Sequence, residues 1–391
     1  MKTKKSSQTA VKTPTFYEFF AGGGMARAGL GKDWHCLFAN DFDQKKGNSY
    51  KANWGGKDLV IGDVAKVEPA NLPDHADLAW ASFPCQDLSL AGAGAGLDGE
   101  RSGTFWPFWD LMRRLGKEDR APRMIVLENV CGALTSHGGK DFAAIASALS
   151  GADYKFGAVV IDAVNFVPQS RPRLFIIAVA PGHPIPADLV DEGPSQPWHT
   201  DSLIQACASL SGRARSKWLW WRLPTPESRT QTFADIIEDD PQGVSWHTAA
   251  ETERLVSLMS DLHLKKLAAA KKAGRRMVGA VYRRTRPDGA GGKVQRAEVR
   301  FDDVAGCLRT PGGGSSRQSI IVVDGERVRS RLLSPREAAR LMGLSEKYVL
   351  PPNYNDAYHL AGDGLAVPVV RFLAANILEP VLAATEIKKV A

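Results

Sequence analysis

The chain is poor in cysteine: five in 391 residues, at positions 36, 85, 131, 207 and 307. They lie far apart and none forms a C-x-x-C pair. That spacing argues against a disulfide framework and against a cysteine-rich zinc module, and no metal is expected. It fits a reducing compartment, the cytoplasm. The first residues, Met1-Lys2-Thr3-Lys4-Lys5, are basic and lack the apolar core of a secretion signal. No run reads as long and apolar enough to cross a bilayer, so no membrane role is expected. The G-x-G-x-x-G spacing of a pyrophosphate cradle is missing, which sets aside a nicotinamide dehydrogenase. Internal repeats are missing too. Charge is only slightly biased: Lys+Arg 50 against Asp+Glu 43, net +7. That permits a polyanionic partner without demanding one.

What is present is an apolar content of 44%, enough for a substantial core and two domains. Short apolar runs read as strands at Thr15–Phe20, His35–Asn40, Leu59–Ile61, Asp77–Ser82, Met124–Glu128, Phe156–Ala163 and Leu174–Val179. Helix-like stretches interleave them at Asp43–Asn53, Gly103–Leu115 and Lys140–Leu149. That alternation indicates an α/β fold with a doubly wound, mostly parallel sheet. After Pro181 the character changes. Residues 183–327 are rich in Pro, Gly, Trp, Arg and Lys, with weak periodicity. They read as a smaller, irregular domain with a basic aromatic surface, carried by Trp218–Arg222, the helix candidate Leu264–Arg276 and Tyr282–Arg286. Helical pattern returns at Ser334–Met342 and Val367–Leu378.

Chemistry-bearing residues gather at strand ends. Phe19-Phe20-Ala21-Gly22-Gly23-Gly24 follows the first strand, and Asp41 closes the next, about 20 residues on, where a ribose-binding carboxylate is expected. Asp63 closes the third. Together they describe a nucleoside pocket with no phosphate to cradle, which favours S-adenosylmethionine over a dinucleotide. Ser82-Phe83-Pro84-Cys85-Gln86 places a thiol where a buried strand meets a glycine-rich loop. Pro84 stiffens the approach to it. Glu128-Asn129-Val130 ends another strand, where a carboxylate can serve as general acid or simply cap a turn. Gln169-Ser170-Arg171-Pro172-Arg173 sets two arginines two apart. Such a pair can clamp a carboxylate or phosphate.

In this order, followed by Arg331-Leu332-Leu333-Ser334-Pro335-Arg336-Glu337 and Gly362-Asp363-Gly364-Leu365-Ala366-Val367-Pro368, these motifs resemble the C5-cytosine DNA methyltransferase family. The resemblance runs from Thr15 to about Pro380. It implies a Rossmann-like catalytic domain built from residues 13–182 and 328–391, with a target-recognition domain at 183–327. It implies S-adenosylmethionine as methyl donor, double-stranded DNA as partner, a monomer in the cytoplasm, and transfer to C5 of a flipped cytosine. Cys85 would be the nucleophile, Glu128 the group that holds and protonates N3, and Arg171 and Arg173 the lining of the base pocket. Phe20, Gly22, Gly24, Asp41, Phe42, Asp63, Val64, Pro84, Asp363 and Leu365 would bind the cofactor. Phe42 would stack on adenine. Gln86, Ser89, Arg101, Arg283, Arg284, Arg309, Thr310, Gly313 and Arg317 are the expected DNA contacts, and Ser89–Ser102 reads as a closing lid.

Two departures stand out. Asp363 replaces the usual asparagine, so it accepts hydrogen bonds but cannot donate as an amide does. Met25 stands where many relatives carry a further glycine. A tRNA cytosine methyltransferase and a catalytically silent nucleic-acid binder are the competing readings. The large basic region argues against the first and the complete Cys85, Glu128, Arg171 and Arg173 set against the second.

Overall fold

The computed structural model describes residues 13–84, 102–287, 292–309 and 317–390. Seven runs form one sheet: β1 (Thr15–Phe19), β2 (His35–Asp41), β3 (Leu59–Ile61), β4 (Leu78–Ala81), β5 (Met124–Val130), β6 (Lys155–Asp162) and β7 (Pro172–Val179). Helices α1 (Met25–Leu30), α2 (Gln44–Trp54), α3 (Phe105–Lys117) and α4 (Lys140–Gly151) interleave them. The strand order is β3-β2-β1-β4-β5-β7-β6. Pairing is parallel from β3 through β5, and β7 runs antiparallel to both its neighbours. The mostly parallel, doubly wound sheet expected from the sequence is therefore present, with one reversed strand.

Both sheet faces are buried. Phe16, Trp80, Val126 and Phe175 fill one core, and Tyr17, Ala81, Leu127 and Ile176 fill the other. That is why Met124–Leu127 reads as an unbroken apolar run rather than an alternating one. Helix α2 starts where Asp43 accepts from the N–H groups of Lys45 (2.7 Å) and Lys46 (3.1 Å). This cap fixes the helix directly after β2.

The segment after Pro181 first builds β8 (Val190–Asp191), α5 (Asp201–Ala208), α6 (Gly212–Ser216) and β9 (Trp220–Trp221). Here the structure corrects the sequence reading. Trp218–Arg222 is no aromatic DNA surface; it covers the outer edge of β6. The Leu219 N–H donates to the Phe156 carbonyl at 2.7 Å, and the Phe156 N–H donates to Lys217 at 2.9 Å. Trp218 packs edge-on against Phe142 and Phe156. Trp221 is fully buried, and its indole N–H donates to the Ile177 carbonyl at 3.3 Å. An open edge strand needs its backbone groups paired and its apolar flank covered, and this segment does both. Gly157 permits the approach, since a Cβ there would lie 2.0 Å from the Leu219 carbonyl oxygen.

Next come α7 (Ala249–Ser257), α8 (Asp261–Lys271), and a four-stranded antiparallel sheet, β10 (Met277–Pro287), β11 (Lys293–Arg300), β12 (Ser319–Asp324) and β13 (Arg327–Leu332), in the order β11-β10-β12-β13. The region expected to be irregular thus holds a regular sheet. Its Val281, Val299, Ile321 and Val323 form a separate small core with Leu255 and Leu267 of α7 and α8. Beyond Val281 the β10–β11 ribbon projects, and residues 283–287 are exposed.

The chain then returns through α9 (Pro335–Leu341), α10 (Tyr354–Asp363), α11 (Val367–Leu373), a π-type turn and α12 (Glu379–Val390). The Arg331…Glu337 motif forms a fully buried pair that anchors the return. Arg331 donates to Glu337 at 2.6 and 2.7 Å, and Glu337 boxes the α9 start with Ser334. Tyr354–Ala384 corrects the expectation of no membrane-length apolar run: by length and composition it is long and apolar enough to cross a bilayer. Its apolar face is spent on the core, where Leu360, Val370, Leu373 and Ile377 are buried with Phe16 and Trp80.

Candidate active site

The ends of β1 to β5 converge on one edge, where sheets of this kind bind ligands. After β1 the chain turns through Phe20, Gly22 and Gly24, all with positive φ (56°, 55° and 78°). A Cβ at Gly22 would meet nothing within 4 Å, so the turn faces open space there. At Gly24 a Cβ would lie 2.3 Å from the Trp54 indole nitrogen, so glycine is needed for α2 to pack this closely. Asp41, buried at the end of β2, accepts from the N–H of Gly22 (2.7 Å) and of Asp43 (2.8 Å). Burial holds its carboxyl above the ordinary range, against the pull of these N–H groups and of Lys46. Its visible work is to fix the glycine turn. Phe42, beside it, leaves 79% of its surface exposed, an apolar ring available for stacking. Asp63 accepts from the Ala65 N–H at 2.9 Å and so caps the turn containing the buried Val64.

The C-terminal motif packs against α1 and α2 at the same edge. Asp363 ends α10, and its carboxylate meets the Lys46 ammonium at 2.8 Å. Leu365 is buried. A Cβ on Gly364 would lie 2.1 Å from the Met25 sulfur, so the extra bulk of Met25 is accommodated by a glycine facing it.

On the other flank of β4 the described chain reaches Phe83 and Pro84; Cys85, Gln86, Ser89 and Arg101 lie outside the described residues, as do Thr310 and Gly313. Asn129 donates to the Phe83 carbonyl at 3.1 Å, tying the approach to the thiol to the end of β5. Sequence reasoning left Asn129 as a turn residue; its reach across 46 positions leaves no local signal. Glu128 is buried, with the Arg173 Nε 3.3 Å from its carboxylate. Burial raises its pKa more than Arg173, Arg171 and the Ser82 hydroxyl lower it, which favours the protonated acid.

Arg171 is buried and reaches two distant parts of the chain. Its Nη2 donates to the carbonyls of Gly362 and Gly364, both at 2.8 Å, and its Nη1 to the Leu308 carbonyl and the Cys307 sulfur, both at 3.3 Å. Both terminal nitrogens are thereby paired, and Arg171 ties the 362–364 turn to the 307–309 loop. Arg171 and Arg173 still lie side by side: both guanidiniums reach the Cys307 sulfur, at 3.3 and 3.8 Å. Gln169, also missed, bridges the same parts, donating to Leu341 (2.7 Å) and accepting from Leu308 (3.0 Å). Burial alone would raise the Cys307 thiol, but Arg171, Arg173 and Arg309 hold it below its ordinary value.

Of the expected DNA contacts, Arg283, Arg284 and Arg309 are exposed. Arg284 and its neighbour Arg286 share Glu298 across the ribbon, at 3.4 and 2.6 Å. Tyr282 turns inward, donating to Gln318 at 2.6 Å, and so leaves the proposed reading surface. Arg317 lies over the Tyr354 ring at 5.5 Å and bonds Asn355, packing against α10. Asp363 and Glu128, at opposite flanks of one sheet edge, thus frame a crevice and a buried acid.

Residues 14–379 match the family model described as C-5 cytosine-specific DNA methylase. The chain belongs to that family. It is 25% identical over 366 residues to the Type II methyltransferase M.HhaI of Haemophilus parahaemolyticus, covering 93% of each chain. It is 26% identical over 368 residues to M1.ScrFI of Lactococcus lactis subsp. cremoris, covering 93% of this chain and 77% of that one. Among solved structures, S. pombe Dnmt2 methyltransferase superposes with a TM-score of 0.56 at 17% identity, over 94% of this chain and 99% of that one. The Entamoeba histolytica methyltransferase EhMeth gives 0.61 at 12% identity, over 94% and 98%. The two superpositions speak to the fold alone. As a family member this chain is a C5-cytosine DNA methyltransferase that takes its methyl group from S-adenosylmethionine.

Proposed function

We propose that this enzyme methylates cytosine within a specific duplex sequence, through a covalent adduct between Cys85 and C6 of a base rotated out of the helix. The observation that carries the reading is Glu128, a buried acid beside Arg173, tied by the neighbouring Asn129 to the turn that leads into Pro84 and Cys85. Cytosine C5 is a weak nucleophile until something adds at C6, and a thiolate is suited to that addition. Glu128, its pKa raised by burial, would hand a proton to N3 as charge develops there. Once C5 has taken the methyl group, loss of the C5 proton, expulsion of the Cys85 thiolate and return of the N3 proton to Glu128 restore the enzyme. A base inside a duplex cannot reach a buried acid, which is why rotation out of the stack is part of the proposal.

The cofactor crevice fits the methyl donor: open space at Gly22, an exposed Phe42 ring and carboxylates at Asp41, Asp63 and Asp363. When bound, S-adenosylmethionine supplies an electrophilic methyl on its sulfonium. Residues 183–327 are proposed to choose the target, now narrowed to the projecting β10–β11 ribbon and the exposed Arg309. The relatives named Type II methyltransferases support a companion restriction enzyme. Duplex DNA with 5-fluorocytosine at the target tests the chemistry, because fluorine cannot leave as a proton does. Wild type should be trapped as a covalent adduct and Cys85→Ser should not; an adduct on Cys85→Ala refutes the assignment.

A further inference from the structure

Helix α2 and the C-terminal helix α10 meet through two lysine–aspartate pairs, and the two differ in kind. Lys45 meets Asp356 at 2.9 Å, with its own side chain 71% exposed. Lys46 meets Asp363 at 2.8 Å, with 25% and 39% of the two side chains exposed. The second pair lies where α2, the end of β2 and the Gly362-Asp363-Gly364 turn come together. Besides Asp363, the charged groups acting on the Lys46 ammonium are Asp41 and Asp43. Burial works against that ammonium, and the three carboxylates more than offset it, keeping it charged above the ordinary lysine range.

The backbone around Asp363 has little freedom to escape. Arg171 holds the carbonyls on both sides of it, each at 2.8 Å, and Gly364 is packed onto Met25. The Arg171 guanidinium and the Lys46 ammonium both act on this anchored carboxylate, and Lys46 meets it directly at 2.8 Å from the side of α2. We propose that Lys46 is a positioning residue of the cofactor crevice: it neutralises Asp363 and draws α2 against the C-terminal turn that closes the pocket. The proposal rests on reading Asp363 as a cofactor-pocket residue. It assigns Lys46 a part in cofactor binding, and it makes the aspartate at 363 tolerable because a lysine stands at 46.

Calorimetric titration of the full-length protein with S-adenosylmethionine and with S-adenosylhomocysteine, from pH 6 to 8.5, tests this. Lys46→Met should weaken cofactor binding about tenfold at pH 8, one decade for a partly buried charge left unbalanced. Lys46→Arg should keep wild-type affinity. Lys46→Met combined with Asp363→Asn should recover most of the loss, because the uncharged amide no longer needs a cation. Lys45→Met, which cuts the outer tie between the same two helices, should bind normally. Phe42→Ala reports on the crevice itself. If Phe42→Ala weakens binding while Lys46→Met does not, or if the losses of Lys46→Met and Asp363→Asn merely add, the pair is a surface contact and the proposal is overturned. If Phe42→Ala is also without effect, the cofactor reading fails first.

Discussion

Glu128→Gln isolates proton donation from packing. The substitution keeps the length and shape of a side chain buried at the end of β5. An amide oxygen can still accept from Arg173 Nε, now 3.3 Å from the carboxylate, so the pocket should not collapse. What is lost is an acid whose proton burial helps to retain. General-acid contributions run to about 10²–10⁴-fold, so single-turnover methylation should slow by that factor, or about 3–5 kcal/mol of transition-state stabilisation. The sign of the pH effect follows from the raised pKa. Wild type holds the acid form below it and loses that form as pH rises through it, which puts a descending limb on the rate above that pKa. Glu128→Gln has no such group and should lack the limb. The assay is transfer of tritiated methyl from S-adenosylmethionine to duplex DNA under single-turnover conditions, with cofactor affinity measured alongside as a control. A variant within about threefold of wild type, or one that keeps the same descending limb, would refute a proton-donating role and leave Glu128 as a holder of Arg173.

Two further outcomes follow from buried groups. Glu18 is fully enclosed beneath the glycine turn, its carboxyl pushed up to about 8 by burial, with Oε2 lacking a partner. Its folded pKa lies above the unfolded value, so its contribution to stability is full below about 4.5 and is lost as pH rises toward 8. Glu18→Gln should therefore flatten the fall in melting temperature between pH 5 and 8.5, by up to about 4 kcal/mol at the alkaline end; an unchanged profile would count against a buried proton there. For target choice, Trp218→Ala should destabilise the fold by about 3–5 kcal/mol of lost packing while leaving the methylated sequence intact. Arg284→Ala or Arg286→Ala should relax the sequence with little change in melting temperature. Genome-wide methylation mapping that shows the reverse would return base reading to the tryptophan segment.

The parts legible in the sequence are those fixed by short-range physics. A strand doubly buried in a parallel sheet must be apolar throughout, so Met124–Leu127 announces itself. An acid or glycine turn at a strand's end is a local signal, and Gly22, Asp41, Asp63 and Glu128 lie at the C-terminal ends of β1, β2, β3 and β5. What could not be read depends on partners distant in the chain. A tryptophan-rich run looks the same whether it faces a nucleic acid or seals the open edge of β6, and only the glycine at 157 hints that something must come close. Arg171 and Arg173 do meet, at the Cys307 sulfur, but that Arg171 also reaches Gly362, 191 residues away, leaves no local pattern.

Asp363 is the instructive residue. Read alone it is a departure that weakens a binding motif; beside Lys46, 317 residues earlier, it is half of a charge pair. Each member has a pattern-level explanation of its own, Lys46 as one more polar residue on a helix and Asp363 as an imperfect motif. Only the fold shows that a change at one position alters the electrostatics of the other. The crevice is therefore specified by residue combinations rather than by motif positions one at a time. Substituting Asp363 by asparagine to match the relatives should consequently leave Lys46 facing a group that no longer balances it, and should not by itself improve cofactor binding.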